Sequence, residues 1–99
     1  MKMKLISEIR EIVNKRAQEY GAERVYLFGS YARGEANEDS DIDLRIDKGT
    51  IKGGFALAGL LLDLEADLGV RVDMVTTGSL SEDFLNQIKG EEQLLYESR

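Results

Sequence analysis

The segment Gly29–Leu44 constrains the fold of this 99-residue chain more than any other part of it. An apolar run, Val25–Phe28, leads directly into Gly29-Ser30, which predicts a buried strand followed by a tight turn. After a polar spacer, Asp41 and Asp43 stand two residues apart with apolar residues interleaved. In a strand such residues share a face and lie about 6.5 to 7 Å apart. The pattern predicts two carboxylates projecting the same way, a separation that suits ligands of one or two hard divalent cations.

The Gly29-Ser30 turn is interpreted as the other half of the same site. Glycine lets the backbone come close to a ligand and adopt dihedral angles closed to other residues. Backbone N–H groups at the start of a following short helix point at a phosphate, and the Ser30 hydroxyl adds a donor. The alternative is a tight turn before an acidic edge strand. The strand–turn–strand context favours a phosphate and metal site.

Composition limits the chemistry and the partners. The chain has no cysteine and no histidine, so a zinc site is disfavoured and an oxygen-bound cation, Mg²⁺, is expected. A net charge of −6 argues against direct nucleic-acid binding and suits a basic protein partner. There is no 18-residue apolar run, and the N-terminus becomes charged too early for a signal peptide. We expect one cytoplasmic domain spanning residues 1–99.

Apolar periodicity predicts helices and strands in the order α-β-α-β-α-β-α. The predicted elements are helix Lys4–Tyr20 with Leu5 on its apolar face, strand Arg24–Phe28 at the centre of the sheet, short helix Ser30–Gly34, strand Asp41–Asp47, helix Phe55–Leu68, strand Val70–Val75 and a last helix that Ser79 and Glu82 cap and that stops near Gly90. The Lys48–Gly54 loop is either a connector, which we favour, or a flap over the nucleotide. The Glu91–Arg99 segment is left open between a strand, a helical turn and a partner-binding segment.

At two motifs the chain resembles a known family. Gly29–Gly34 (Gly-Ser-Tyr-Ala-Arg-Gly) and Ser40–Leu44 (Ser-Asp-Ile-Asp-Leu) resemble the signature of the minimal nucleotidyltransferase (MNT) branch of the DNA polymerase beta-like superfamily. The later Val72–Thr76 segment matches that branch too. The resemblance implies the α/β (α+β) nucleotidyltransferase fold, in which a small mixed sheet of three to four strands packs against helices.

The resemblance also implies roles for the matching residues. Asp41 and Asp43 would bind Mg²⁺ and the triphosphate oxygens of ATP, and Gly29 and Ser30 would hold the outer phosphates. Arg33 is implied as a third nucleotide-binding residue, which either pairs with an aspartate to steady the turn or faces the leaving pyrophosphate.

Asp73 is the third candidate carboxylate. It lies in an otherwise apolar strand, where a carboxylate costs free energy unless it is paired or metal-bound. It either pairs with Arg71 or Arg45, or completes a catalytic and metal-binding triad with Asp41 and Asp43. Position and the resemblance both favour the triad, in which Asp73 ligates a second metal or takes a proton from the attacking hydroxyl.

The resemblance finally implies a partner protein. Chains of the MNT branch are commonly encoded beside a helical toxin of the HEPN (higher eukaryotes and prokaryotes nucleotide-binding) family. The implied activity is an antitoxin that transfers AMP from ATP to a hydroxyl, expected to be a tyrosine, on that toxin. Two alternatives stay open: an antitoxin that neutralises by complex formation alone, and a small-molecule nucleotidyltransferase. The leucine-rich Phe55–Leu68 helix has more apolar residues than one face needs, so it suits a partner or a second copy.

Overall fold

The computed structural model describes residues 4–98 of the chain and confirms the alternation of helices and strands. The elements are α1 (Ile6–Tyr20), β1 (Arg24–Phe28), α2 (Gly29–Arg33), β2 (Ile42–Asp47), α3 (Gly53–Leu68), β3 (Val72–Thr76), a 3-10 turn (Thr77–Ser79), α4 (Glu82–Ile88) and β4 (Gln93–Glu97). Of the alternatives left open for the C-terminal segment, the structure has the strand. None of the helices within residues 4–98 is long and apolar enough to cross a bilayer.

The four strands form one mixed sheet in the order β3-β2-β1-β4. β1 runs antiparallel to both β2 and β4, whereas β2 and β3 are parallel. The prediction of β1 as a central strand is therefore confirmed, and so is the small mixed sheet. Because β1 and β2 are antiparallel, the end of β1 lies beside the start of β2, which brings Phe28 opposite Asp43.

Helices α1 and α3 pack together on one face of the sheet. Alternation along β2 turns its three apolar residues towards them, fully buried: Ile42, Leu44 and Ile46. α1 contributes Ile9, Val13 and Ala17 at helical spacing and ends at Gly21, whose φ of +86° is the left-handed conformation that glycine adopts at a helix C-terminus. The placement of Leu5 on this apolar face was wrong: it precedes the first turn and is 67% exposed.

On the opposite face of the sheet, the middle is covered by a charged side chain, Arg45, and not by a second layer of helices. The Arg45 guanidinium lies 4.0 Å above the Tyr26 ring, donates to both Glu92 oxygens at 2.5 and 3.0 Å, and donates to the Thr77 hydroxyl at 2.7 Å. Arg45 is only 9% exposed, so these contacts replace the water it has lost. This network ties β2 to the segment just before β4.

The predicted starts of α3, β3 and α4 differ from the structure. α3 begins at Gly53, two residues earlier than predicted, and β3 begins two residues later, at Val72. α4 is capped by Ser81, whose hydroxyl accepts from the Phe84 N–H at 3.1 Å. The prediction of Ser79 as the cap was wrong because Ser79 belongs to the 3-10 turn that precedes the helix.

The loop between β2 and α3 lies far from the start of β2. It follows Asp47 and folds back on the end of α1, where the Thr50 N–H donates to the Gly21 carbonyl at 3.0 Å. Asp41 and Asp43 stand at the other end of the same strand. The position of this loop supports its interpretation as a connector and not as a flap over the nucleotide.

Candidate active site

Two of the predicted carboxylates meet across neighbouring strands. Asp43, in β2, is the register partner of Asp73, in β3, and the parallel pairing sets them side by side. Because Ile42 and Leu44 point into the core, Asp43 between them projects from the opposite face. Asp41 immediately precedes β2 and belongs to the same alternation.

Electrostatics links Asp41, the remaining predicted carboxylate, to Asp43 as well. The pKa of the half-buried Asp43 carboxyl is raised from 3.8 to about 6, first by burial and then by the negative charges of Asp73 and Asp41. Arg33 opposes part of this rise. The charges of Asp73 and Asp41 therefore both act on Asp43, and a nearby cation would relieve this repulsion.

The argument from burial does not hold for Asp73, because its side chain is exposed. The competing interpretation, a simple ion pair, fails as well. Arg45 bonds to Glu92, Thr77 and Asp47, and neither it nor Arg71 forms an ion pair with Asp73 in the described part of the chain. What remains in favour of a role in the cluster is the position of Asp73 beside Asp43.

The Gly29 turn lies directly against the Asp43 carboxylate. Gly29 has a φ of +77°, a conformation that side chains rarely adopt, and a Cβ there would collide with the Asp43 carboxylate group. The predicted short helix, α2, begins at this turn and ends at Arg33, with Gly34 as its C-cap. The two motifs that were separate in the sequence therefore form one site.

A groove of about 500 Å³ runs along this site. Its walls combine the turn with residues of α4 and the segment after it: Phe28, Gly29, Ser30, Arg33, Asp43, Phe84, Gln87, Ile88 and Glu91. Phe84 packs edge-on against Phe28, with ring centroids 5.9 Å apart, and so anchors α4 beside the turn. The lining combines apolar side chains, Phe28, Phe84 and Ile88, with the carboxylates of Asp43 and Glu91.

Glu91 is a site residue that the sequence did not reveal. One of its carboxylate oxygens accepts a hydrogen bond from the Gly29 N–H at 2.6 Å, and Arg33 Nη1 donates to both oxygens at 3.2 and 3.3 Å. Arg33 also donates to Glu35 at 2.9 Å, so it pairs with glutamates and not with an aspartate. The packing of α4 on Phe28 and the pairing of β4 with β1 bring Glu91 here, and no local motif predicts either contact.

The residues present fit a hard divalent cation. Within residues 4–98, no three acidic side chains form a ready-made ligand set. The predicted ligands are nevertheless carboxylates, whose oxygens Mg²⁺ prefers, and after burial the charges of Asp73 and Asp41 help to raise the pKa of Asp43. Asp41, Asp43 and Asp73 are the residues that would hold the ion.

Comparison with known proteins adds a family to this geometry. The family profile described as nucleotidyltransferase domain matches residues 6–95. The protein adenylyltransferase MntA of Thermococcus cleftensis is 40% identical over 84 residues, which cover 81% of this chain and 85% of that protein.

Solved structures share the fold. One chain, provisionally described as a minimal nucleotidyltransferase, superposes with a TM-score of 0.81 and is 41% identical, covering 92% of this chain and 95% of that one. A chain of a toxin–antitoxin complex with AMP-PNP has a TM-score of 0.75 and 26% identity, covering 91% of this chain and 74% of that one.

Proposed function

We propose that this chain, which belongs to the nucleotidyltransferase domain family, is a Mg²⁺-dependent antitoxin that transfers AMP from ATP to a hydroxyl of a HEPN-type toxin. The acceptor we expect is a tyrosine. The observation that carries the proposal is the contact between the Gly29 turn and Asp43, with Asp73 beside it on the next strand. A phosphate-binding turn touching a cluster of carboxylates is the arrangement that nucleotidyl transfer needs.

In the proposed reaction, the acceptor oxygen attacks the α-phosphorus of ATP and forms a new P–O bond. The bond from that phosphorus to the oxygen bridging to the β-phosphate breaks, and pyrophosphate leaves with the electron pair. Asp73, exposed beside Asp43, accepts the proton of the attacking hydroxyl. Gly29 and Ser30 hold the outer phosphates, and Arg33 offsets negative charge on the departing pyrophosphate.

Asp41 and Asp43 serve only as metal ligands, a task that Asp73 shares. When bound, Mg²⁺ would supply charge stabilisation to the triphosphate at these two residues and Asp73. The pKa of about 6 for Asp43 means that it is ionised above that pH and available as a ligand.

The comparisons support a protein acceptor. The Thermococcus cleftensis relative is named a protein adenylyltransferase, and the neighbour with AMP-PNP is a toxin–antitoxin complex. AMP-PNP is an analogue of ATP, which supports ATP as the donor. The acidic net charge of −6 is consistent with a basic partner and not with direct binding to nucleic acid.

The test is the intact mass of a HEPN-type toxin after incubation with this chain, ATP and Mg²⁺. We expect the toxin mass to rise by one AMP residue or a multiple of it, and the rise to require both ATP and the metal. Asp41→Asn with Asp43→Asn should abolish the rise. Asp39→Asn, a matched control that removes an exposed carboxylate from the preceding turn, should leave it intact. An unmodified toxin that is nevertheless silenced would contradict the proposal.

One observation favours a second candidate, neutralisation by binding alone. α3 carries an apolar stripe on its solvent side, formed by Phe55, Ala58, Leu62 and Ala66, in which Phe55 is 98% and Leu62 65% exposed. Large apolar side chains in such a row are typical of a surface that a partner covers. This stripe supports complex formation and gives no reason for the clustered carboxylates, so we rank it second.

A further inference from the structure

We propose that Glu91 is an internal competitor of the nucleotide, because its carboxylate takes the place on the Gly29 turn where the outer phosphates bind. The inference rests on the proposed function, since it concerns how the same groove accepts ATP. Before ATP binds, the Glu91 side chain has to swing away. Glu91 therefore sets the affinity of the chain for nucleotide.

The contacts of Glu91 are those a phosphate would make. Its Oε2 accepts from the Gly29 N–H at 2.6 Å, and the Arg33 guanidinium donates to both of its oxygens. A backbone N–H and a guanidinium converging on an anion are a common means of binding carboxylate and phosphate oxygens alike. Since Gly29 has only one N–H, a phosphate oxygen and Glu91 compete for it.

Charge adds to this competition. Glu91 lines the same groove as Asp43 and contributes to the negative field that raises the pKa of Asp43. The Glu91 side chain is 20% exposed, so its charge is only partly screened by solvent. A triphosphate entering the groove would meet this carboxylate as a like charge, in addition to losing the Gly29 donor.

The surrounding contacts allow the side chain to move while the backbone stays. The Glu91 N–H donates to the Ile88 carbonyl at 3.0 Å, which fixes the turn after α4. The next two residues are tethered as well, Glu92 by Arg45 and Gln93 by a 3.0 Å hydrogen bond to the Ala32 carbonyl. Glu91 can therefore leave the groove by rotation of its side-chain torsions alone, without unpairing β4.

The experiment measures the affinity for ATP, in the presence of Mg²⁺, by calorimetry. Glu91→Ala should bind ATP about tenfold more tightly than the unmodified chain, because a competing charged hydrogen bond no longer lowers the competent fraction. Glu91→Gln keeps the shape and removes the charge, so it should give part of the gain and serves if the alanine variant does not fold. In transfer assays the KM for ATP should fall much more than kcat changes.

Glu35→Gln is the matched control. Glu35 also accepts a hydrogen bond from Arg33, at 2.9 Å, so the change removes a negative charge that pairs with the same guanidinium. Unlike Glu91, Glu35 forms no hydrogen bond with Gly29 in the described part of the chain. We expect its affinity for ATP to change by less than about twofold, the effect of an exposed ion pair.

The other outcomes overturn the inference in distinguishable ways. Equal affinity in Glu91→Ala and the unmodified chain would mean that Glu91 does not compete. Weaker binding in both Glu91 variants would mean that Glu91 assists, as an extra metal ligand or as a support of the turn. ATP binding by none of these proteins would refute the proposed function itself, and the inference with it.

Discussion

Asp43→Asn should have two effects: it should stabilise the metal-free protein, and it should abolish the transfer activity. In the folded chain the Asp43 carboxyl is half-buried and faces the charges of Asp73 and Asp41, so its ionised form is disfavoured. The causes of its raised pKa are burial and neighbouring charges rather than hydrogen bonds, so asparagine loses no partner. Asparagine has nearly the same shape and cannot ionise. The substitution therefore removes an electrostatic cost that the fold carries for function.

The magnitude follows from the pKa of Asp43. A rise from 3.8 to about 6 corresponds to roughly 3 kcal/mol at full strength. Because the carboxylate is only half-buried, solvent screening reduces this to about 1 kcal/mol. For a domain of this size, about 1 kcal/mol raises the melting temperature by roughly 4 to 8 °C.

The pH dependence gives the sign of the effect. The folded state binds the Asp43 proton more tightly than the unfolded state does, so the destabilisation is fully present above about pH 6 and is lost below about pH 3.8. The stability advantage of Asp43→Asn should therefore be clear at pH 7.5 and should shrink as the pH falls through this window. Chemical denaturation at several pH values, in chelator, measures it.

Two further measurements separate this explanation from others. Mg²⁺ should raise the melting temperature of the unmodified chain more than that of Asp43→Asn, since the cation relieves the same repulsion. Asp67→Asn is the control of opposite sign: Asp67 accepts from Arg16 at 2.6 Å and its pKa is lowered, so losing its charge should reduce stability. A marked loss of stability in Asp43→Asn at pH 7.5 would refute the reasoning and make Asp43 a structural residue.

Three other predictions follow from the same structure. Gly29→Ala should lose about 1 to 3 kcal/mol of unfolding free energy in urea, and should lose ATP binding by calorimetry, because the positive φ and the adjacent Asp43 carboxylate both oppose a Cβ. Arg45→Ala should lower the free energy of unfolding by about 3 kcal/mol in the same assay, because the Glu92 carboxylate stays in place without its guanidinium partner. Unchanged stability would contradict this. With ATP and Mg²⁺, a substoichiometric amount of the chain should silence its toxin in a titration of toxin activity, whereas a one-to-one endpoint indifferent to ATP would contradict catalysis.

The parts of the site that could be predicted from the sequence are those fixed by local geometry. The positions of Gly29 and Asp43 follow from two adjacent strands, and alternation along β2 decides which residues face the core. Asp73 was placed in its strand by the same alternation, although the argument from burial was wrong. Two-residue periodicity says which face a residue takes but not how much of that face is covered.

The parts that could not be predicted depend on distant pairing. β4 is five residues long and is stabilised by its antiparallel partner β1, far away in the sequence. This pairing, together with the packing of Phe84 on Phe28, returns the chain to the Gly29 turn, where Glu91 binds. The error at Ser79 has a local cause: the 3-10 turn takes in Ser79, and the helix begins only after it, with Ser81 as the cap.

The fold keeps the two candidate modes of neutralisation on different surfaces. Asp43 projects from the face of the sheet opposite to α1 and α3, whereas the Phe55–Leu62 end of the apolar stripe is on the solvent side of α3. Phe55→Ser with Leu62→Ser removes apolar surface that is mostly exposed, so it should change folding little and leave the affinity for ATP unchanged. If the stripe holds the toxin, this double variant should weaken complex formation and raise the toxin concentration needed for transfer.

Asp41→Asn with Asp43→Asn should do the reverse, binding the toxin without modifying it. If the carboxylate variant neutralised as well as the unmodified chain while the stripe variant did not, binding alone would be the mechanism.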